Sequence, residues 1–274
     1  MSLPPHIGVY GGGRMGAGIA HAFLVAGADV TVIETNQDAA QAARGRVESS
    51  LAKAKEHGID APGSLTVTTE PAALSRAGLV IEAVPELLAL KVDVLGAIER
   101  VAPRAVVATN TSSLSIGELA AALSDPKRFI GLHFFNPVPV SDLVEVVVGT
   151  HTDPAVVEQA QGWVASLGKT AITVKDSPGF ASSRLGVGLA LEAMRMLDEG
   201  VASAEDIDAA MTLGYRHPVG PLKTTDIVGL DVRLAIAEYL ERELGPRFAP
   251  PQILRDKVAA GQLGRKSGEG FYKW

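Results

Sequence analysis

The sequence predicts an α/β domain of alternating strands and helices around a parallel sheet, followed by an all-α carboxy-terminal domain. Two observations predict it. Short apolar runs recur between Ala-, Leu- and Glu-rich stretches up to residue 174, an alternation that implies parallel strands wrapped by helices. After Asp176-Ser177-Pro178-Gly179 no such alternation continues, and only helix-length segments remain. The Pro-Gly pair is a natural break, so the expected domains are residues 1–178 and 179–274.

Each element has its own signal. His6–Tyr10 is a short buried strand. Arg14 to Ala26 carries Met15, Ile19, Phe23 and Leu24 at helical spacing, and Asp29 to Glu34 is a second strand, which completes a βαβ unit. Further strands are expected at Leu65–Thr68, Leu79–Ile81, Ala105–Ala108, Phe129–His133, Leu143–Val148 and Thr170–Val174, with a helix at Pro154–Leu167. In the second domain the expected helices are Ala181–Glu199, Ala204–Leu213, Pro221–Val228, Val232–Leu244 and Pro251–Ala260.

Composition excludes several classes of function. Of 274 residues, 47% are hydrophobic and 20% charged, which suits a folded core and argues against disorder. With 25 Lys and Arg against 31 Asp and Glu, the net charge of -6 offers no basic field for nucleic acid. The absence of cysteine removes disulfides, thiolate nucleophiles and Cys-based metal sites. No apolar run reaches the roughly 18 residues of a membrane span, and the first residues lack a signal-peptide pattern, so a cytoplasmic protein with no membrane partner is expected.

Gly11-Gly12-Gly13-Arg14-Met15-Gly16 fits GxGxxG. The pattern alone is weak. Here it closes a strand, opens a helix and precedes Glu34 at the end of the next strand, the context of a dinucleotide-binding Rossmann fingerprint. Gly11 permits the tight turn, Gly13 lets the backbone approach a pyrophosphate, and Gly16 lets helix and strand pack closely. The helix N-terminus at Arg14 and Met15 supplies N–H groups for the phosphates. Glu34 can accept from ribose hydroxyls and repels a 2′-phosphate, and Thr35-Asn36-Gln37 contains no Arg, so NAD is favoured over NADP.

His133 ends an apolar strand and precedes the proline-punctuated Phe134–Val140 loop. Ligands of open α/β sheets bind beyond the carboxyl ends of strands, and a histidine there suits a general base. Glu145 interrupts the apolar run Leu143–Val148. If buried, it needs a compensating partner, and His133 is available if the loop brings the second strand back. The alternative is an edge strand with Glu145 in water; pattern alone leaves both open. Ala108 to Ser113 forms a third polar cluster, where Ser115 and Glu118 make a capping box and leave Asn110 and Ser112 free to face a ligand. Glu86 and Lys91 read as a solvated helix face.

Together these residues resemble the L-3-hydroxyacyl-CoA dehydrogenase family, whose short bacterial forms are often 3-hydroxybutyryl-CoA dehydrogenases. Matching stretches span most of the chain: GGGRMGAGIAH at 11–21, LVIEAVPE at 79–86, NTSSLSI at 110–116, GLHFFNPVPV at 131–140, LVEVV at 143–147, DSPGF at 176–180, HPVGPLKTTDIVGLD at 217–231 and LGRKSGEGFY at 263–272. The resemblance implies an NAD-dependent oxidoreductase of fatty-acid β-oxidation, a homodimer paired through its helical domain, with acyl-CoA lying in the interdomain cleft. It implies that His133 takes the proton from the 3-hydroxyl, that Glu145 orients and charge-balances His133, and that Ser112 hydrogen-bonds the reacting oxygen. It also places Ala83, Glu86, Lys91, Asn110, Asn136 and Lys266 near the cofactor.

Two departures stand out. Where the family carries Asn in a G-F-x-x-N-R-L run, this chain has Ser183, which lacks the amide's paired donor and acceptor. Residues 36–63 are short where many members have a helical hairpin that grips CoA; Lys53 and Lys55 either meet the CoA phosphates or are solvated helix charges. Two other readings remain: a dehydrogenase of the same fold acting on a non-CoA hydroxy acid or sugar acid, and a non-catalytic NAD-binding protein. A β-hydroxyacid dehydrogenase with a lysine base is disfavoured, since residues 179–222 contain no lysine. The expected hydride-transfer site uses a histidine base and needs neither metal nor thiol.

Overall fold

The computed structural model describes residues 2–274. The chain divides into two compact units, Met1–Ser177 and Pro178–Trp274.

In the first unit the order is β1 (His6–Tyr10), α1 (Arg14–Val25), β2 (Asp29–Ile33), α2 (Gln37–Glu56), β3 (Leu65–Thr68), β4 (Leu79–Glu82), α3 (Leu88–Val101), β5 (Val106–Thr109), α4 (Ile116–Ala120), β6 (Phe129–Phe134), β7 (Leu143–Val148), α5 (Pro154–Ser166) and β8 (Thr170–Lys175). All eight strands form one sheet in the order β3-β2-β1-β4-β5-β6-β7-β8. Strand order reverses direction between β1 and β4, the switch point where open α/β sheets bind ligands. The β4, β5 and β6 strands are buried along their whole length, as parallel strands covered on both faces must be. Ile19, Phe23 and Leu24 of α1 pack on Val9, Val32 and Ile81 in the main core.

The wholly parallel sheet expected from alternation needs one correction: β7 runs antiparallel to β6, and β8 follows β7 in parallel. Only eight residues separate β6 from β7, too few for a crossover helix, so the chain can return only antiparallel. Because β8 pairs on the far side, β7 is an interior strand and the edge-strand alternative for Glu145 is excluded.

The second unit contains α6 (Ser182–Asp198), α7 (Ala204–Ala209), α8 (Pro221–Val228), α9 (Leu230–Leu244) and α10 (Gln252–Ala259) around Leu191, Met194, Leu222, Leu230, Leu240 and Leu254. The expected helix to Leu213 stops at Ala209 and loosens into a wider turn over Ala210–Gly214. There the Met211 carbonyl accepts from both Tyr215 and His217 backbone N–H groups, which turns the chain out of the helix. Among the described residues no helix is long and apolar enough to cross a membrane.

The carboxy-terminal tail is fastened by one buried carboxylate. Asp226 accepts from Phe271 N at 2.8 Å, Tyr272 N at 2.9 Å and Trp274 Nε1 at 2.8 Å, and is only 1% exposed. A Cβ on Gly270 would lie 2.3 Å from Asp226 Oδ1, so glycine is needed for this approach. Hydrogen bonds to a charged acceptor are worth about 1.5–3 kcal/mol each, and removing one partner strands the others. Asp226→Ala is therefore expected to cost about 3–5 kcal/mol, read as a lower urea midpoint of the full chain; a loss under about 1 kcal/mol would mean the tail is held some other way.

Candidate active site

The turn after β1 follows the geometry its glycines require. Gly11 has φ +94°, and a Cβ there would meet the Ala83 carbonyl oxygen at 2.9 Å. A Cβ on Gly16 would come within 1.8 Å of the Gly11 carbonyl oxygen, so only glycine lets α1 start this close to β1. At Gly13 a Cβ would meet nothing within 4 Å, leaving that side of the turn open. No side chain caps α1, whose first turn holds exposed Arg14 and half-buried Met15 and no acid. Its N–H groups and dipole thus present a cradle for phosphate. Glu34 accepts from Gly12 N at 2.7 Å through Oε1, which ties the acid at the end of β2 to the loop. The donor set fits NAD: a glycine turn that admits a pyrophosphate, free helix N–H groups and a carboxylate for ribose hydroxyls. Sequence reading missed Arg46 of α2, whose guanidinium reaches the Gly12 carbonyl at 3.2 Å. Gly12 was also unassigned; a Cβ there would fall 2.4 Å from that of Ala43.

A second network lies beyond β4 and β5. Lys91 is 1% exposed, and its ammonium donates to Glu82 Oε1 at 2.7 Å, Glu82 Oε2 at 3.0 Å and the Val84 carbonyl at 3.2 Å. It also pairs with Glu86 at 3.2 Å. The expected solvated helix face is therefore wrong for Lys91, which turns inward because the fully buried Glu82 carboxylate requires a cation. Thr109 Oγ1 and Val84 N, both at 2.7 Å, complete the shell of Glu82. Glu86 is equally engaged. Its Oε1 accepts from Thr111 Oγ1 and from the N–H groups of Ser112 at 2.8 Å and Ser113 at 3.1 Å. Partial desolvation works to raise the Glu86 carboxyl, but the Lys91 charge and the bonds from Thr111 and Ser112 outweigh it and hold it below the usual carboxylate range.

The polar loop after β5 is thus more tightly bound than its sequence suggested. Ser112 Oγ donates to Glu86 at 3.3 Å, and Asn110 Oδ1 accepts from Phe134 N at 2.9 Å, so neither side chain stands free. Ser115 caps α4 by accepting from Glu118 N, while Asp176 accepts from Ser115 Oγ and Gly117 N, both at 2.8 Å. The Asn110 bond ties this loop to the end of β6, next to His133.

The register of β6 and β7 sets His133 directly opposite Glu145. The two side chains share a face of the sheet and meet, Nδ1 to Oε2, at 2.7 Å. Glu145 has no solvent exposure and His133 has 7%. An ionised carboxylate can only accept, so Nδ1 is the donor of this bond. The Phe135 ring lies 4.6 Å from the imidazole, tilted by 49°. Asn136, which begins the exposed part of the loop, precedes a cis Pro137.

The remaining candidates lie elsewhere. Lys53 and Lys55 are exposed on the last turn of α2, which is a single helix leading to β3. Ser183 is half-buried in the first turn of α6, and Lys266 pairs with Asp231 at 2.6 Å, both within the helical unit. Glu82, the buried anchor of the Lys91 network, is the residue that sequence reading passed over; an acid closing an apolar strand nine residues before a lysine was its signal.

The chain is similar to known proteins along nearly its whole length. Residues 6–177 match the sequence profile of the 3-hydroxyacyl-CoA dehydrogenase NAD binding domain, and residues 179–274 match that of the 3-hydroxyacyl-CoA dehydrogenase C-terminal domain. The chain is 43% identical to a 3-hydroxybutyryl-CoA dehydrogenase of Mycobacterium tuberculosis, covering 98% of each protein. It is 42% identical to a probable 3-hydroxybutyryl-CoA dehydrogenase of Deinococcus radiodurans, over 97% of this chain and 99% of that protein. The crystal structure of (S)-3-hydroxybutyryl-CoA dehydrogenase from Ralstonia eutropha superposes with a TM-score of 0.94 at 40% identity, covering 100% of this chain and 99% of that one.

Removing one member of a buried ion pair costs about 3–5 kcal/mol because the other charge is stranded. Lys91→Met is expected to lose stability on that scale in urea unfolding, and adding Glu82→Gln should restore most of it. A double variant no more stable than the single one would show that the two groups are not coupled.

Proposed function

The chain belongs to the 3-hydroxyacyl-CoA dehydrogenase family of NAD-dependent oxidoreductases, and on that premise we propose that it interconverts a short-chain L-3-hydroxyacyl-CoA and its 3-oxoacyl-CoA, with His133 as the general base. The observation that carries the assignment of roles is the buried His133–Glu145 pair at 2.7 Å. Bound NAD supplies the hydride acceptor at the substrate C3. As that C–H bond breaks, His133 Nε2 takes the proton of the 3-hydroxyl, and in the reverse direction it returns the proton to the 3-oxygen. Glu145 holds the Nδ1–H tautomer and balances the imidazolium, the base-and-orienter arrangement of catalytic triads. Ser112 turns its hydroxyl to the reacting oxygen from a loop that Glu86 and Lys91 hold in place. Gly11, Gly13, Arg14, Met15, Gly16 and Glu34 receive the pyrophosphate and ribose, while Ala83, Glu86, Lys91, Asn110, Asn136 and Lys266 complete the cofactor contacts. In the same reading Lys53 and Lys55 meet the CoA phosphates, Ser183 donates one hydrogen bond to a substrate oxygen, and the enzyme works as a cytoplasmic homodimer in β-oxidation.

Acetoacetyl-CoA with NADH is the direct test. Loss of NADH absorbance is expected, and no consumption across several acyl chain lengths would sink the proposal. His133→Ala should lower kcat by at least about 100-fold, the scale of a lost general base, while leaving NAD affinity within a few-fold.

Ser183 favours keeping one second reading, a hydroxy acid or sugar acid without CoA. If free 3-hydroxy acids turn over with a higher kcat/KM than their CoA thioesters, that reading replaces the first.

A further inference from the structure

Arg233 of α9 is a cation without an anion. It is only 8% exposed, and among the described residues Nε has no hydrogen-bond partner and no ion pair forms on its guanidinium. Burial pulls the group down to about 10, still charged at neutral pH. Carboxylates of the same unit are committed elsewhere: Asp231 to Lys266, Glu238 to Arg255, Asp226 to the tail backbone, and Asp208 to the Leu222 and Lys223 N–H groups. An uncompensated buried charge is costly, which makes the guanidinium a recognition group rather than a packing one.

The guanidinium lines an open-sided cavity of about 260 Å³ in the helical unit, with exposed Leu185 at its rim. Leu189, Val219 and Pro221 form apolar walls, while His217 and Thr224 add polar atoms and no acidic residue lines the space. Opposite the guanidinium runs Gly186, where an added Cβ would lie 3.6 Å from Arg233 Nη1, so the absence of a side chain helps keep the space open. We propose that this cavity is an anion site of the helical unit, and that it takes a carboxylate carried on a short apolar stem. A planar carboxylate can accept two parallel N–H bonds from the guanidinium fork, and the apolar walls receive the stem. The carboxylate can come from a small acid in solution or from an Asp or Glu side chain of a second copy of this chain. The inference does not depend on the dehydrogenase activity.

Calorimetric titration of the full chain with hexanoate, with hexanol as the uncharged control, tests the site, and sedimentation of the same samples identifies the source. For a small acid, hexanoate binds one per chain, hexanol does not, and Arg233→Met weakens binding at least tenfold. For a second copy, the wild type self-associates and Arg233→Met raises the dissociation constant of that association at least tenfold. Gly186→Leu, which fills the cavity and leaves the guanidinium in place, should abolish whichever of the two effects the wild type shows. It decides the question alone if circular dichroism shows that Arg233→Met does not fold. Hexanoate binding and self-association that are both absent, or unchanged in the folded variants, overturn the proposal.

Discussion

Glu145 is an ionisable group at the centre of a strand with no solvent contact, and the site is arranged around satisfying it. A buried carboxylate must be compensated where it stands. The short return from β6 to β7 brings His133 directly across from it. Because side chains alternate faces along a strand, a slip of one residue in that register would send the two groups to opposite faces of the sheet. β8 then covers the outer edge of β7, so the pair is fixed by strands on both sides. In the proposed reaction this rigidity serves chemistry: a base held in one tautomer by a fixed neighbour spends little reorganisation when the proton transfers.

The same logic runs along the carboxyl ends of the neighbouring strands. Glu82 at the end of β4 draws Lys91 inward, Lys91 reaches Glu86, and Glu86 gathers the N–H and hydroxyl groups of the loop after β5. That loop is tied through Asn110 to the end of β6. The glycine turn after β1 is likewise held, by Glu34, which accepts from Gly12 N, and by the Ile33 carbonyl, which accepts from Gly11 N. Each loop that faces the switch point of the sheet is therefore anchored by charged or backbone hydrogen bonds rather than left mobile, as a hydride-transfer geometry with a narrow distance tolerance requires.

Much of this was legible because it rests on local signals. The strands at Leu143–Val148 and Pro221–Val228 helix match the structure to the residue, since apolar runs and flanking Pro, Gly and Asp mark them. The turn glycines were also readable, because φ and close approach are properties of single positions. What resisted reading was pairing. Whether Glu145 met His133 or water depended on strand order, and periodicity does not encode which strand lies outside β7. Lys91 looked solvated because its partner Glu82 lies in another element, and its inward turn follows from a buried charge rather than from any pattern on α3. Asn110 and Ser112 looked available for the same reason: the groups that occupy them, Phe134 N and Glu86, come from other parts of the chain.

In the proposed mechanism His133 and Glu145 act as one proton-handling unit. A double-mutant cycle on kcat with His133→Ala, Glu145→Gln and the combined variant tests it most directly, because groups that work together are strongly non-additive when removed. The combined variant is expected to be no slower than His133→Ala alone within a few-fold. If the two losses instead multiply, Glu145 contributes independently of His133 and the pair is not the catalytic unit.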